Sequence, residues 1–236
     1  MVAQSVQAQL FARMVSFDSF EVFTDASADP LVRGFLHRPA EGVRDALVLT
    51  HGAGGNCKGP LLVALAEAFA NAGTAVLRCD LPFRQMRPFG PPRPGEAAKD
   101  RKGLKNAVAA LRKLVPGRVF LGGHSYGGRQ ASILCAEEPG VADGLLLSSY
   151  PLHPPGKPDQ LRTQHLPKLV VPALFVQGTR DPFGSVVEME SALKLIPART
   201  ILLKVDGVGH DLGFKGKTKS DALPLAVLAE FTKLFG

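Results

Sequence analysis

Apolar and polar positions along this chain form short blocks. The spacing of the apolar positions alternates between the pattern of a β-strand and the pattern of an α-helix. Short runs rich in apolar residues, continuous at 46–49, predict β-strands at 46–49, 74–78, 118–121, 145–147, 173–176 and 200–205. Apolar positions spaced i, i+3, i+4 and i+7 predict the helices that separate them, at 62–69, 104–115, 130–137, 186–195 and 223–234. Two earlier runs, 17–23 and 31–37, predict antiparallel or edge strands. Because strands alternate with helices, the predicted fold class is α/β, with a mostly parallel twisted sheet and helices on both faces.

The pattern gives no sign of a domain boundary within the chain. No internal repeat or low-complexity linker occurs, and the Pro/Gly-rich stretches 82–95 and 151–158 are flanked by periodic elements, so they are expected to be loops. Residues 1–236 are therefore predicted to form a single domain. The segment 148–172 between two predicted strands is too short for a large helical insertion. We therefore expect a minimal lid or none.

Composition places the chain among ordinary globular proteins, with 45% hydrophobic and 21% charged residues in 236. No apolar run is long enough to cross a membrane, so no membrane association is expected. The three cysteines are scattered and include no Cys-x-x-Cys pair, which favours a reducing compartment and predicts a cytoplasmic location. The N-terminus lacks the features of a secretory signal, although its acid-free stretch 1–17 leaves a transit peptide as an alternative.

The formal net charge of +7 admits an anionic partner, although solubility alone would also explain it. No basic run carries interleaved aromatic residues, and Trp is absent. A nucleic-acid partner is therefore not expected.

Chemistry in a parallel sheet is expected at the carboxyl ends of its strands, so the residues that follow each strand are the informative ones. The strand 46–49 is followed by Thr-His-Gly-Ala-Gly-Gly at 50–55. Its glycines allow close backbone approach, which favours a loop that presents N–H groups to an oxyanion. The spacing matches neither phosphate-binding fingerprint, and a plain turn is the remaining alternative.

The strand 118–121 is followed by a Gly-x-Ser-x-Gly motif centred on Ser125. This motif is typical of a sharp strand-to-helix turn that exposes the serine hydroxyl, and it lies here between a predicted strand and a predicted helix. Ser125 is therefore the candidate nucleophile.

A serine nucleophile needs a base, and His210 is the best-placed histidine because it follows the strand 200–205 on a glycine-containing loop. A surface position is the alternative interpretation. The other histidines lie in an early strand, in the glycine loop, beside Ser125 or near the Pro-rich segment: His37, His51, His124, His153 and His165.

The base needs an acid to orient it, and Asp181 follows the strand 173–176 on a turn. An Asx-type turn before Pro182 is the alternative role. Asp206 and Asp211 compete, but Asp211 adjoins His210 and is poorly placed to reach its ring. The chain order serine, aspartate, histidine is that of the α/β-hydrolase fold.

With these motifs the chain resembles the α/β-hydrolase superfamily, and within it the dienelactone-hydrolase-like branch that includes the testis-expressed α/β-hydrolase-like proteins. The matching segments are THGAGG at 50–55, LPFR at 81–84, LGGHSYGGRQAS at 121–132, VQGTRDPFG at 176–184 and the loop of His210. The resemblance implies Ser125 as nucleophile, His210 as base and Asp181 as orienting acid. It also implies an oxyanion hole formed by the backbone N–H groups of Ala53 and Tyr126. Dienelactone hydrolases carry Cys at the nucleophile position, so their own activity is not implied for a chain with Ser125.

The sequence thus predicts a serine hydrolase that cleaves a small ester, thioester or related acyl substrate without a metal or other cofactor. A non-catalytic binding or scaffold protein of the same fold is the alternative. Arg84 and Arg87, in the basic loop 81–102, are predicted to bind a carboxylate or phosphate of an anionic substrate, with a solvated loop as the alternative. Arg129 either braces the fold or contacts substrate. The oligomeric state is left open.

Overall fold

The computed structural model describes residues 20–215 and 222–236. Its strands are β1 Phe20–Asp25, β2 Val32–His37, β3 Ala46–Thr50, β4 Ala75–Cys79, β5 Val119–His124, β6 Leu145–Ser148, β7 Ala173–Gly178 and β8 Thr200–Val205. Its helices are α1 Pro60–Asn71, α2 Pro82–Met86, α3 Ala97–Arg112, α4 Tyr126–Glu137, α5 Val186–Leu193 and α6 Ala222–Phe235. A short 3-10 turn spans Leu166–Lys168. The predicted strand 17–23 overlaps β1 from Phe20 onward, and its first three residues lie outside the described ranges.

All eight strands belong to one sheet in the order β1-β2-β4-β3-β5-β6-β7-β8. The pairs β1·β2 and β2·β4 are antiparallel, and every other neighbouring pair is parallel. Only β2 therefore runs against the rest. The expectation of a mostly parallel sheet is confirmed, and of the two N-terminal strands predicted as antiparallel or edge strands, β1 forms an edge and both make antiparallel pairs.

Successive residues of the inner strands enter two separate cores, because side chains alternate across a sheet. In β3, Val48 joins the core under α3, α4 and α5, whereas Leu47 and Leu49 join the core under α1 and α6. Helices thus cover both faces, as predicted. This two-sided burial explains why the inner strands are continuously apolar.

Helix α2 and the first turn of α4 lie outside the predicted helices. Helix α2 begins with Pro82 at its first turn, where a missing N–H costs nothing, and buries Phe83 completely. Its five residues are too few to display a helical period. Helix α4 starts at Tyr126, four residues before the predicted helix, because the apolar period is interrupted by Gly127 and Gly128.

The connection between β6 and β7 contains only the 3-10 turn, which matches the expectation of a minimal lid. No helix in the described ranges has the length and apolar character needed to cross a bilayer.

All three cysteines are buried as free thiols. Cys57, Cys79 and Cys135 are each at most 3% exposed. Burial raises the pKa of the Cys57 and Cys135 thiols to about 12. These side chains therefore remain protonated and unreactive in the folded protein.

Candidate active site

Ser125 sits at the turn between β5 and α4 in a strained backbone conformation, with φ 51° and ψ −119°. The turn closes only because small residues surround it. A Cβ on Gly127 would lie 2.5 Å from the His51 carbonyl oxygen, and one on Gly123 would lie 2.9 Å from the backbone nitrogen of Gly128. The glycines of the motif therefore allow the backbone contacts that raise the serine above the sheet edge.

The structure brings together the three residues that sequence analysis assigns to the triad. His210 Nε2 lies 2.7 Å from Ser125 Oγ. On the other side of the ring, Nδ1 lies 2.8 Å from Asp181 Oδ2 and 3.0 Å from Oδ1. The carboxylate thus selects the tautomer in which Nδ1–H donates to Asp181, which leaves Nε2 free to accept the serine proton.

Asp181 is fixed by its own turn. Its side chain is fully buried, and Oδ1 accepts a hydrogen bond from the Phe183 amide at 2.9 Å. The Phe183 ring lies against the imidazole of His210, with centroids 4.1 Å apart. The Asx-type turn considered as an alternative is therefore present, and it coexists with the contact to His210.

His124, which sequence analysis left without a role, holds the His210 loop. Its Nε2–H donates to the His210 carbonyl oxygen at 2.8 Å. Burial lowers the pKa of His124 to about 4, so the ring is neutral at pH 7. A Cβ on Gly52 would lie 2.9 Å from His124 Nδ1. The glycine at position 52 is therefore the sequence feature that could have indicated a close neighbour there.

Tyr126 follows Ser125 directly, and Ala53 lies in the glycine loop, where a Cβ on the neighbouring Gly52 would come 3.3 Å from Ser125 Cβ. Within the described ranges, neither N–H donates to a backbone carbonyl, whereas the N–H of Ser125 donates to the Ser148 carbonyl at 2.8 Å. Tyr126 is the first residue of α4, where amides have no helical partner. Its phenol is anchored by a 2.7 Å hydrogen bond to Asp100 Oδ2, which fixes this end of the helix.

His51 stabilises the glycine loop from inside. Its Nδ1–H donates to the Gly52 carbonyl at 2.9 Å, and its Nε2 accepts from the Leu81 amide at 3.1 Å. Burial lowers its pKa, which keeps the ring neutral so that Nε2 can accept.

Arg84 is only 6% exposed and is used by the protein itself. Its guanidinium donates to four carbonyl oxygens: Gly55 at 2.7 Å, Gly90 at 2.9 Å, Ala53 at 3.0 Å and Arg87 at 3.1 Å. Four of its five N–H groups are thereby occupied. This differs from the expected contact with substrate, because the side chain ties the glycine loop to the loop that follows α2.

Arg87 is likewise engaged, in a two-bond pair with Glu96 at 2.7 and 2.8 Å. The hydrogen bonds from Arg87 lower the pKa of Glu96 to about 2. The guanidinium of Arg87 therefore already has an anionic partner within the protein. This also differs from the predicted contact with substrate.

Residues 43–233 match the family model described as alpha/beta hydrolase domain, so the chain belongs to the alpha/beta hydrolase family. The superfamily resemblance carried by the sequence motifs is confirmed.

Solved structures with the same fold include several hydrolases. A dienelactone hydrolase from Anabaena variabilis is 21% identical, with a TM-score of 0.71 over 92% of this chain and 96% of that one. Est1E from Butyrivibrio proteoclasticus is 16% identical, with a TM-score of 0.70 over 92% and 99%. XC6422 from Xanthomonas campestris, described as an α/β serine hydrolase without lid, is 16% identical, with a TM-score of 0.69 over 93% and 97%. At these identities the likeness establishes the shared fold.

Proposed function

We propose that this chain is a serine hydrolase that cleaves a small ester, thioester or related acyl substrate through Ser125, His210 and Asp181. The observation that carries the proposal is the continuous hydrogen-bonded line from Ser125 Oγ through His210 to Asp181, with contacts of 2.7 and 2.8 Å. A serine hydroxyl is a weak nucleophile at neutral pH, and a neutral imidazole at this distance is the group that can accept its proton.

In the acylation step, Ser125 Oγ attacks the substrate carbonyl carbon while its proton moves to His210 Nε2. The resulting imidazolium is stabilised by the buried carboxylate of Asp181. The carbonyl oxygen becomes an oxyanion that accepts from the N–H groups of Ala53 and Tyr126. Loss of one such donor typically raises the barrier by about 3–4 kcal/mol. When the tetrahedral intermediate collapses, His210 gives the proton to the departing alcohol or thiol.

In the deacylation step, a water molecule attacks the acyl-enzyme and His210 accepts one of its protons. A second oxyanion forms in the same hole. Its collapse breaks the bond to Ser125 Oγ, which regains a proton from His210, and the carboxylic acid leaves. The cycle balances without an oxidant, a reductant or a further reactant.

Small acyl substrates are favoured by the short connection 149–172, which contains no large lid to enclose a long chain. The comparisons agree with this class: XC6422 is described as lacking a lid, and Est1E has been solved with ferulic acid bound.

A fluorophosphonate probe tests the proposal directly, because it modifies only serines whose hydroxyl is activated. We expect labelling of wild type at Ser125, mapped by mass spectrometry, and none in Ser125→Ala. Ser191→Ala, which removes an exposed hydroxyl bonded to the Val187 carbonyl, is the matched control and should label fully.

Absence of labelling in folded wild type would overturn the proposal. It would favour the alternative of a non-catalytic binding protein with the same fold.

A further inference from the structure

The turn that carries the acid of the triad also carries an aromatic ring. Phe183 follows Asp181 by two residues, in the sequence Asp-Pro-Phe-Gly at 181–184. Its ring lies against the imidazole of His210, with centroids 4.1 Å apart and ring planes 31° apart, so the two faces are in contact. The acid and the aromatic ring thus reach the base from the same short turn.

Three hydrogen bonds fix the backbone around this ring. The Phe183 amide donates to Asp181 Oδ1 at 2.9 Å, and the Phe183 carbonyl accepts from the His153 amide at 3.0 Å. The carbonyl of the next residue, Gly184, accepts from Nε2 of the fully buried Gln177 at 3.0 Å. The turn is therefore held by the acid, by the β6–β7 connection and by β7, which keeps the ring in place over the imidazole.

The ring of Phe183 contacts a part of the base that the other triad members do not use. Asp181 and Ser125 bond the two ring nitrogens of His210, at the edge of the imidazole. Phe183 packs against its face. The side chain of His210 is 22% exposed, so the stacked ring also keeps water from that face.

This face contact depends on the charge of the base. In the proposed cycle His210 is neutral before the attack of Ser125 and positively charged once it holds the serine proton. The face of a phenyl ring carries partial negative charge and attracts a cation within about 6 Å of its centroid. The contact is therefore stronger with the imidazolium than with the neutral ring. An interaction that strengthens toward the transition state raises kcat.

The ionisable neighbours of this part of the site come from three segments: Asp181 after β7, His124 at the end of β5, and Asp211 and Lys215 on the loop after β8. Burial lowers the pKa of His124 to about 4, so its ring, 5.1 Å from that of His210, is neutral at pH 7. A substitution at Phe183 leaves the charge of each of these groups in place. A change in the pH profile therefore reports the aromatic ring.

We propose that Phe183 is a positioning residue for the base, whose ring holds the imidazole of His210 against Asp181 and stabilises its protonated form by a cation–π contact. The inference rests on the proposed function and adds a fourth side chain to the machinery around Ser125. Phe183 acts through His210, and no contact with substrate is assigned to it.

An aliphatic side chain of similar bulk tests the proposal, because Phe183→Leu keeps the apolar cover and removes the aromatic face. We expect kcat on a short 4-nitrophenyl ester to fall about two- to fivefold with KM little changed. The acid limb of the kcat/KM profile should move to lower pH by about half a pH unit, because the imidazolium loses a stabilising contact.

Two further variants control for shape and for the substitution itself. Phe183→Tyr keeps the ring face and should retain both kcat and the pH profile. Phe20→Leu makes the same change on β1, at the edge of the sheet farthest from β7 and β8, and should also retain both. An unchanged pH profile in Phe183→Leu would overturn the proposal, and so would a Phe183→Tyr variant as slow as Phe183→Leu.

A spectroscopic measurement separates this inference from the proposed function. Proton–carbon NMR of Ser125→Ala follows the Cε1–H signal of His210 as the pH is lowered, with the signal assigned by its loss in His210→Gln. The ring current of a stacked phenyl group shifts this proton upfield, so we expect the signal to move downfield when Phe183→Leu is added, and to titrate at lower pH.

That result would support the contact even if wild type fails to label with fluorophosphonate and the proposed function falls. A Cε1–H signal with the same position and titration in both proteins would overturn the inference. Labelling of wild type at Ser125 would then leave the proposed function standing alone.

Discussion

At the scale of single residues, the role of Asp181 is the sharpest consequence of the site. The fully buried carboxylate bonds Nδ1 of His210 through both oxygens. An amide in its place retains the shape but can present an N–H to Nδ1, which favours the wrong tautomer.

We therefore expect Asp181→Asn to lower kcat on a short 4-nitrophenyl ester by about 10³–10⁴-fold with KM little changed. Steady-state kinetics checks this, and circular dichroism controls for folding. An equal loss in Asp211→Asn, whose carboxylate bonds the Gly213 and Lys215 amides, would assign the effect to the loop instead.

Arg84 offers a second residue-scale prediction, because its guanidinium holds the Ala53 and Gly55 carbonyls of the glycine loop. We expect Arg84→Ala to reduce kcat by about 10–100-fold, since the charge-assisted hydrogen bonds to the Ala53 and Gly55 carbonyls, which hold the glycine loop, are lost. KM should change less than kcat. Millimolar guanidinium in the assay should restore part of the rate.

Arg112→Gln, which removes an exposed arginine paired with Asp143, serves as the control and should keep full kcat. A loss of thermal stability in Arg84→Ala without a change in kcat would show that the side chain braces the fold and nothing more.

At the scale of elements, the turn between β5 and α4 depends on a missing side chain. A Cβ on Gly127 would meet the backbone oxygen of His51 at 2.5 Å, whereas one on Gly54 meets nothing within 4 Å. We expect Gly127→Ala to destabilise the protein by about 1–3 kcal/mol, because neither backbone segment can move without disturbing the sheet edge. Gly54→Ala should change stability by less than about 0.5 kcal/mol. Urea unfolding of both variants decides the matter, and equal values would contradict this account of the turn.

The same elements show what the sequence could and could not predict. The apolar run of β3 was predicted to within one residue of its observed bounds, because all five residues of this strand are buried. The three triad residues were found because each follows a strand. The distances between their side chains follow from the packing of β5, β7 and β8, which the sequence alone does not give.

Arg84 shows why the structural roles of some side chains could not be predicted from the sequence. Its composition signal, a basic loop, is the same whether the guanidinium faces solvent, a ligand or carbonyl oxygens. Only the tertiary positions of Gly55 and Gly90 distinguish these cases.

At the scale of the whole molecule, buried histidines couple folding to pH. Burial lowers the pKa of His37, His124 and His165 to about 4, aided at His37 by Arg78 and at His165 by Arg129. In the unfolded chain these groups titrate near 6.5, so between pH 6.5 and 4 the unfolded state binds more protons than the folded state.

Stability should therefore fall as the pH drops through this window, by on the order of 2 kcal/mol per histidine at pH 5. Urea unfolding at pH 7.5, 6 and 5 measures the slope. His37→Gln should reduce the difference in bound protons between the unfolded and folded states, which sets this slope, by about one. A stability that is flat from pH 7.5 to 5 would contradict the neutral, buried state of these rings.

The three sealed thiols also give the molecule built-in probes of its own opening. Cys57 lies in the loop before α1, Cys135 on the helix that carries Ser125, and Cys79 at the end of a central strand. Because each is protonated and shielded while folded, alkylation by iodoacetamide counts the moments when that site opens. Comparing the three rates by mass spectrometry would separate local breathing around the nucleophile helix from complete unfolding, with no engineered label.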